Sequence, residues 1–243
     1  MDADFFVIGH LHGILLRNPV SASRSILVAG ATGLVGTACT YRLLEHSAFH
    51  RVVVLSRSPL PDEIRERDKS AKLEEHVIDF DTLAEEKHGN HFEVDQILCC
   101  LGTTLKKAGT KARFRKVDFG YPKHLAEIGY THNVHHFLLV SAMGSHANSW
   151  IFYNRVKGEL EAAVLKVPFP SITIVRPSLL LGERDENRRG EEIAKRLQFL
   201  IPGKYKPVEA DVVGRVLIDA ACENATGHRY IDISGRRVTE RWC

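Results

Sequence analysis

The feature that most constrains the fold is an apolar run followed by three regularly spaced glycines. Ile26–Ala29 are consecutive apolar residues, the pattern of a strand buried on both faces. Gly30, Gly33 and Gly36 follow, and Cys39–His46 is predicted to be a helix. In such a unit the three glycines allow a tight turn, close approach of the backbone to a pyrophosphate, and close packing of the helix on the strand. The stretch therefore predicts a dinucleotide-binding turn.

Predicted strands and helices alternate along the rest of the chain. Further strands are predicted at Arg51–Leu55, Glu75–Ile78, Val94–Leu101, His136–Val140, Ile172–Val175 and Arg229–Ile233. Further helices are predicted at Phe114–Tyr130, Trp150–Leu165, Glu191–Leu200 and Ala210–Cys222. No Asn-Gly or Asp-Gly pair marks a hairpin between the strands. This order predicts an α/β fold with a doubly wound parallel sheet, the Rossmann fold.

The chain length of 243 residues suits one such domain. We expect residues 23–243 to form a single NAD(P)-binding domain with a small C-terminal portion on the substrate side. Residues 1–22 are expected to be an extension that is either packed on the surface or poorly ordered. Its apolar run, Phe5–Leu16, is shorter than the roughly 20 residues of a membrane-spanning helix. Asp2 and Asp4 stand where a signal peptide would be basic, which argues against a signal peptide. Membrane contact of the extension is the less favoured alternative.

Charge and cysteine content exclude several classes of protein. The net charge of +3 is small and dispersed, which argues against a nucleic-acid-binding protein. The five cysteines show neither metal-ligand spacing nor an even disulfide framework. Free thiols in a reducing compartment are the simplest interpretation, so we expect a cytoplasmic protein without a metal site.

In a doubly wound sheet, ligands bind where the strands end, so the residues that follow each strand are site candidates. Arg57 follows the second strand, and no Asp or Glu occurs between positions 51 and 61. An acidic residue in this region binds the ribose of NAD, whereas a basic one accommodates the 2′-phosphate of NADP. We therefore expect NADP(H) to be favoured over NAD(H). Asp79 and Phe80, after the third strand, are candidates for an adenine contact or for a simple turn.

Tyr153 and Lys157 form the sharpest candidate pair. Four residues apart on the predicted helix Trp150–Leu165, they lie on one face. A phenol has a reference pKa of about 10, and a neighbouring ammonium favours the phenolate. Such a pair suits general acid–base chemistry in which a carbonyl oxygen is protonated while a hydride arrives. The polar exit of the fifth strand, Ser141, precedes Tyr153 by 12 residues.

Together these features resemble the short-chain dehydrogenases/reductases. Finer features are similar to the Tat-interacting-protein-like oxidoreductases, an atypical branch of that family. Those features are Cys99–Thr104, Lys107–Gly109, Val117-Asp118, Val156–Glu159 and Arg176-Pro177. The resemblance covers roughly residues 24–234 and implies an NADPH-binding Rossmann fold with a catalytic triad of Ser141, Tyr153 and Lys157.

The resemblance also implies a role for each member of the site. Tyr153 would be the acid–base, Lys157 would hold the nicotinamide ribose and tune Tyr153, Ser141 would orient the carbonyl, and Pro177 would border the nicotinamide. With the strand-end arguments, the candidate cofactor-binding residues are Gly30, Thr32, Gly33, Leu34, Val35, Gly36, Arg57, Asp79, Phe80, Leu101, Gly102, Thr103, Tyr153, Lys157 and Pro177.

Several alternatives stay open at this stage. Many members of the branch carry two consecutive serines where this chain has Ser141-Ala142, so the serine role falls to Ser141 or to Ser145. The leading function is NADPH-dependent reduction of a carbonyl or similar small substrate. The alternative is a regulatory or redox-sensing protein that binds NADPH without turnover.

Three further interpretations are less favoured or lack a residue-level argument. An epimerase or dehydratase would need a deeper C-terminal domain than the short chain after Pro177 provides. A thiol nucleophile at Cys99 or Cys100 is disfavoured, because successive strand residues face opposite sides of a sheet and pack in the core. A homodimer through the helix Trp150–Leu165 is left open.

Overall fold

A sheet of eight strands with helices on both faces carries the fold. The computed structural model describes residues 23–83, 85–181, 206–223, 225–235 and 237–242. Within them the strands are β1 (Arg24–Ala29), β2 (Phe49–Ser56), β3 (Leu73–Val77), β4 (Gln96–Cys99), β5 (His136–Val140), β6 (Ser171–Pro177), β7 (Leu180–Leu181), β8 (Val208–Glu209), β9 (Gly227–Ser234) and β10 (Arg237–Trp242). The α-helices are α1 (Leu34–Glu45), α2 (Asp62–Arg65), α3 (Leu105–Ala108), α4 (Lys111–Arg115), α5 (Tyr121–Thr131), α6 (Phe152–Val164) and α7 (Ala210–Cys222). Short 3-10 segments span Phe80–Thr82 and Glu86–Phe92, and a π-helical turn spans Lys116–Gly120.

The strand order places a switch point between β1 and β4. The sheet runs β10-β9-β6-β5-β4-β1-β2-β3, while β7 and β8 form a separate pair. From β1 the chain moves outward through β2 to β3, then returns to the other side of β1 with β4. Each neighbouring pair of the large sheet is parallel except β9 and β10. The predicted doubly wound α/β sheet is confirmed, and its switch point is the expected place for a ligand.

The antiparallel strand β10 was not predicted from the sequence. It pairs with β9 at the edge of the sheet, from Arg237 opposite Ser234 to Trp242 opposite Arg229. Gly235 lies in the turn with a φ of +58°, in the left-handed region that glycine adopts readily. The Ser234-Gly235 dipeptide is a turn signal in its own right, but neither Asn-Gly nor Asp-Gly occurs there.

The side chains of β1 alternate between two hydrophobic cores, one on each face of the sheet. Ile26 and Val28 belong to the core covered by α1 and α7. Leu27 and Ala29 belong to the core covered by α5 and α6. Full burial of one large aliphatic side chain contributes roughly 1.5–3 kcal/mol, so this strand is stabilised from both sides. The strand predicted from the apolar run is therefore confirmed.

The predicted helix Phe114–Tyr130 is divided into three parts. α4 ends at Arg115, the π-helical turn Lys116–Gly120 follows, and α5 begins at Tyr121. Pro122 lacks the N–H that would bond to the carbonyl four residues earlier, at Asp118, so a regular α-helix is interrupted there. Asp118 lies within the interrupted stretch, and its side chain is buried.

Two predicted segments, the extension 1–22 and the helix Glu191–Leu200, lie outside the described residues. In the part of the chain that the structure describes, no helix combines the length and apolar character needed to cross a bilayer.

Candidate functional site

The glycine turn after β1 has the shape of a cradle with no room for side chains. Gly30 has a φ of +92°, and a Cβ there would lie 2.6 Å from the carbonyl oxygen of Cys100. A Cβ at Gly36 would lie 2.0 Å from the carbonyl oxygen of Gly30. Gly33 is the N-cap of α1 and has no side chain to occupy the first N–H groups of that helix. These groups and the positive end of the helix dipole can receive an anion such as a pyrophosphate.

Other candidates on this turn contribute in different ways. Thr32 is exposed and Leu34 is half-buried at the start of α1. Val35 is buried in the core beneath the turn, so its side chain packs rather than faces a ligand.

The loop after β4 lies against the turn and approaches the lysine of α6. The N–H of Cys100 donates to the carbonyl oxygen of Ala29 at 2.8 Å, which continues the parallel ladder to the end of β1. Leu101 is half-buried and Gly102 is exposed. A Cβ at Gly102 would lie 3.6 Å from Nζ of Lys157, so this loop brings backbone close to the predicted catalytic pair.

Tyr153 and Lys157 lie one turn apart on α6, as predicted. The ring of Tyr153 packs against Phe114, with centroids 5.8 Å apart. The ammonium of Lys157 is buried, with 5% of its side chain exposed, and forms an ion pair with Asp118 at 2.9 Å. The Oδ2 atom of the same carboxylate accepts the N–H of Thr103 at 2.8 Å.

Burial, rather than the surrounding charges, favours the protonated phenol of Tyr153. Burial raises the pKa of Tyr153, Lys157 lowers it, and Asp118 raises it again, so that the net direction is upward. Burial lowers the pKa of Lys157, but Asp118, Tyr153 and Cys99 together outweigh it, so that the net direction is upward. Burial raises the pKa of Asp118, although Lys157 opposes this shift. Lys157 acts on the phenol in the predicted direction, but burial and Asp118 outweigh it.

Ser141, the predicted third member of the triad, lies in a separate buried network. Its hydroxyl donates to Oε1 of Glu161 at 2.5 Å. The same Oε1 accepts from Nε of Arg176 at 2.9 Å, and a second, shorter contact makes the Glu161–Arg176 pair bidentate. Glu161 is one turn beyond Lys157 on α6, and Arg176 is near the end of β6.

Ser145, the alternative serine, belongs to the same network. Its Oγ lies 3.2 Å from Oγ of Ser141 and donates to the carbonyl oxygen of Ala142 at 2.6 Å. Each hydroxyl has one hydrogen, and both hydrogens are used within the protein. Among the hydrogen bonds of the described residues, neither serine is joined to Tyr153.

The remaining predicted cofactor contacts follow their strands as expected, but not all face outward. Arg57 is exposed directly after β2. Asp79 is exposed, and its Oδ1 accepts the N–H of Asp81 at 2.9 Å, as in a simple turn. Phe80 is 3% exposed and packs in the core, so its ring is buried against the protein rather than open to an adenine. Pro177 is buried at the end of β6.

The two adjacent cysteines are core residues that face opposite sides of the sheet. Cys99 belongs to one hydrophobic core, and Cys100 packs against the other. Burial raises the pKa of Cys99 to about 12, so the reactive thiolate is disfavoured near neutral pH. Within the described ranges, no group of three His, Cys, Asp or Glu side chains is arranged to hold a metal ion.

Asp118 is the site residue to which sequence reasoning assigned no role. In the sequence it is part of the Val117-Asp118 feature of the atypical branch. It also lies four residues after the core residue Phe114 on the predicted helix. An acidic residue on the apolar face of a helix signals a buried charge, which requires a partner. That partner is Lys157.

Comparisons with known proteins identify the family. A family described as NAD(P)H-binding matches residues 30–224. "Protein FMP52, mitochondrial" from Candida albicans is 34% identical over 209 residues, covering 84% of this chain and 90% of that protein. "Protein HTATIP2" from Rattus norvegicus is 32% identical over 184 residues, covering 75% and 74% respectively.

Among solved structures, the UDP-glucuronic acid 4-epimerase of Bacillus cereus superimposes with a TM-score of 0.67. The match covers 89% of this chain and 79% of the epimerase at 17% identity, and therefore supports the fold alone.

The expectation of a cytoplasmic protein is wrong. Several relatives, from Candida albicans and other yeasts, carry the name "Protein FMP52, mitochondrial" or "Protein FMP52-1, mitochondrial". Unpaired cysteines were a weak guide, because thiols that are buried in a core persist in more than one compartment. The matched family, the relatives and the sheet topology together place the chain in the NAD(P)H-binding family, within the atypical short-chain dehydrogenase/reductase branch that includes HTATIP2 and FMP52.

Proposed function

We propose that the protein is an NADPH-dependent oxidoreductase that reduces a carbonyl or similar small substrate. The observation that carries this proposal is the placement of a charged, buried Lys157 beside the loop Leu101–Thr103, with Tyr153 one turn earlier on the same helix. That loop follows β4, next to the glycine turn of β1, at the switch point of the sheet. A proton donor and a dinucleotide cradle thus occupy adjacent positions.

The residues of the turn suit a nicotinamide dinucleotide. The space at Gly30 and Gly36 is closed to side chains, and the first turn of α1 has free N–H groups for a pyrophosphate. When bound, the reduced cofactor supplies a hydride. Arg57 supports the choice of NADPH, because an exposed guanidinium after β2 can bind a 2′-phosphate with paired hydrogen bonds.

Tyr153 is proposed to donate the proton to the substrate oxygen. Its raised pKa keeps the phenol protonated near neutral pH, which is the state that a proton donor needs. Lys157 keeps its charge and stabilises the phenolate that remains after transfer. Ser141 is not part of this proposed proton transfer, because its hydroxyl donates to Glu161 rather than toward Tyr153.

The first experiment is a fluorescence titration of the purified protein with NADPH and NADH, followed by a panel of carbonyl substrates. We expect tighter binding of NADPH and its oxidation with at least one carbonyl. Binding of neither nucleotide would overturn the proposal. The carbonyl panel is repeated with Tyr153→Phe, which lacks the proposed proton donor. Tyr130→Phe is the matched control, because Tyr130 lies at an exposed position on α5.

The second candidate function is a regulator that binds NADPH without turnover. The observation that favours it is the engagement of Ser141 by Glu161, together with Ala142 at the position where the resemblance to the atypical branch implies a second serine. This function predicts tight NADPH binding with no oxidation by any carbonyl tested. Its affinity for a protein partner would change when NADPH is added, which pull-down experiments with and without the nucleotide would measure.

We also propose that the protein acts in mitochondria, by analogy with relatives of that name. Fractionation of cells that express the full chain with a C-terminal tag would test this. Recovery with the mitochondrial fraction is expected, and recovery only from the cytosol would contradict it.

A further inference from the structure

We propose that Asp118 is a positioning residue that holds Lys157 and the loop after β4 in their working arrangement. One carboxylate joins three elements of the fold. Its Oδ1 lies 2.9 Å from Nζ of Lys157 on α6, and its Oδ2 accepts the N–H of Thr103 at 2.8 Å. Asp118 itself belongs to the π-helical turn Lys116–Gly120. The consequence for catalysis rests on the proposed reductase function, whereas the consequence for cofactor binding does not.

The π-helical turn gives Asp118 its inward direction. Such turns are rare and are frequently found at functional sites, because the wider register redirects a side chain. Here the carboxylate is 1% exposed, between α6 and the loop, while the side chains of the flanking Arg115 and Lys116 point to solvent. A regular helix through this segment would place position 118 differently relative to its neighbours.

The surroundings of Asp118 fix the position of its carboxylate. Gly102 has no side chain that would crowd this ion pair: a Cβ there would lie 3.3 Å from Oδ1 of Asp118 and 3.6 Å from Nζ of Lys157. A buried ammonium and a buried carboxylate each need the other, because neither is solvated by water. Removing the carboxylate would leave the Lys157 charge without its main support.

Loss of Asp118 therefore has a specific signature. Burial lowers the pKa of Lys157. Asp118 is the largest of the groups that raise this pKa, followed by Tyr153 and Cys99. Without Asp118 the pKa of Lys157 falls, so the lysine loses its proton as pH rises through this lower value. Cofactor affinity that depends on the charged Lys157 would then decline with pH in the variant, but not in the natural protein over the same range.

The experiment is a double-mutant cycle read by NADPH affinity. Asp118→Asn is nearly isosteric, and we expect it to weaken binding about tenfold, with a loss that grows as pH rises. In a Lys157→Gln background, the same change should cause no further loss. Asp95→Asn is the matched control, because Asp95 also accepts a backbone N–H, that of Ser25 at 2.8 Å, but lies at the opposite end of β4.

Equal losses in both backgrounds would show that Asp118 does not act through Lys157 and would overturn the inference. Unchanged affinity and pH profile in Asp118→Asn would also overturn it. If Asp118→Asn alone does not fold, the double variant decides, since it carries neither of the two buried charges: a double variant that folds and binds NADPH as Lys157→Gln does supports the inference. A double variant that also fails to fold, or that binds NADPH more weakly than Lys157→Gln, overturns it. Failure to reduce any carbonyl would count against the proposed function and leave this result intact.

Discussion

Ser141 and Glu161 are joined by a buried hydrogen bond of 2.5 Å, in which the serine hydroxyl donates to the carboxylate. The carboxylate is in turn paired with Arg176, so the serine belongs to a charged network one helical turn away from Lys157. A hydroxyl with its only hydrogen engaged cannot also donate to a substrate carbonyl. The relationship separates Ser141 from the Tyr153–Lys157 pair in the conformation described.

This separation predicts a small catalytic effect of Ser141→Ala. We expect kcat to fall by less than about tenfold, in line with the loss of one supporting hydrogen bond worth roughly 1 kcal/mol. Steady-state kinetics of Ser141→Ala and Ser145→Ala with the best carbonyl substrate would measure this. A loss for Ser141→Ala as large as that for Tyr153→Phe would show instead that the hydroxyl leaves Glu161 and contacts the substrate.

Tyr153→Phe should abolish most of the turnover while leaving cofactor binding intact. Removal of a general acid typically costs about 10²–10⁴-fold in rate. The ring keeps its packing against Phe114, so the fold and NADPH affinity should be unchanged. Stopped-flow measurement of NADPH oxidation would give the rate, with Tyr130→Phe as the control at an exposed tyrosine. Full turnover by Tyr153→Phe would remove the phenol from the mechanism.

The phenol of Tyr153 should titrate above the ordinary tyrosine value of about 10. Burial is the largest cause of the raised pKa, and Asp118 adds to it against the effect of Lys157. Because the protonated phenol is the donor, reduction should not decline from loss of this proton until pH exceeds that value. The phenolate absorbance of the natural protein minus that of Tyr153→Phe would isolate this titration. A transition below 10 would mean that Lys157 dominates.

The sequence was sufficient for the parallel strands of the sheet, because local patterns determine them, but not for the antiparallel edge strand β10. Ile26–Ala29 reads as a buried strand, and the helix at Ala210–Cys222 has the predicted bounds. The partners of Asp118 and Ser141 could not be predicted, because each contact joins residues far apart in the chain. Which of two nearby groups a serine bonds depends on side-chain directions that periodicity does not encode.

The pKa of Tyr153 illustrates the same limit. The spacing of Tyr153 and Lys157 predicts a neighbouring charge correctly. The opposing carboxylate comes from Asp118, in a π-helical turn that no simple period indicates. Burial of the phenol depends on Phe114, which reaches it from α4. A pairwise argument from one helix therefore gave the direction of one cause, but missed burial, which is the largest, and the contribution of Asp118.

Gly36→Ala should destabilise the protein, whereas Gly120→Ala should not. A Cβ at Gly36 would lie 2.0 Å from the backbone oxygen of Gly30, and backbone cannot move aside cheaply. We expect a loss of about 1–3 kcal/mol in the free energy of unfolding, or more. A Cβ at Gly120 would meet nothing within 4 Å, so alanine there should be neutral or slightly stabilising. Urea unfolding of both variants would test the contrast, and equal stabilities would contradict the cradle geometry.

Arg57→Ala should reduce the preference for NADPH without changing affinity for NADH. Arg57 is exposed after β2, and the nearby Ser56 hydroxyl is occupied by the carbonyl oxygen of Ser58 at 2.6 Å. The guanidinium is therefore the main group at this strand end that can pair with a 2′-phosphate. Loss of a charge-assisted contact should weaken NADPH binding about tenfold, equivalent to about 1.4 kcal/mol.

The two nucleotides provide an internal comparison, because they share every contact except those to the 2′-phosphate. Fluorescence titrations of Arg57→Ala and of Arg57→Glu should show a reduced and a reversed preference, respectively, since a carboxylate repels phosphate and accepts from a ribose hydroxyl. Arg42→Ala is the control, because Arg42 lies in the last turn of α1 and forms an ion pair with Asp211. If both nucleotides weaken equally in Arg57→Ala, the arginine supports the loop rather than the phosphate, and the NADPH preference must come from other residues.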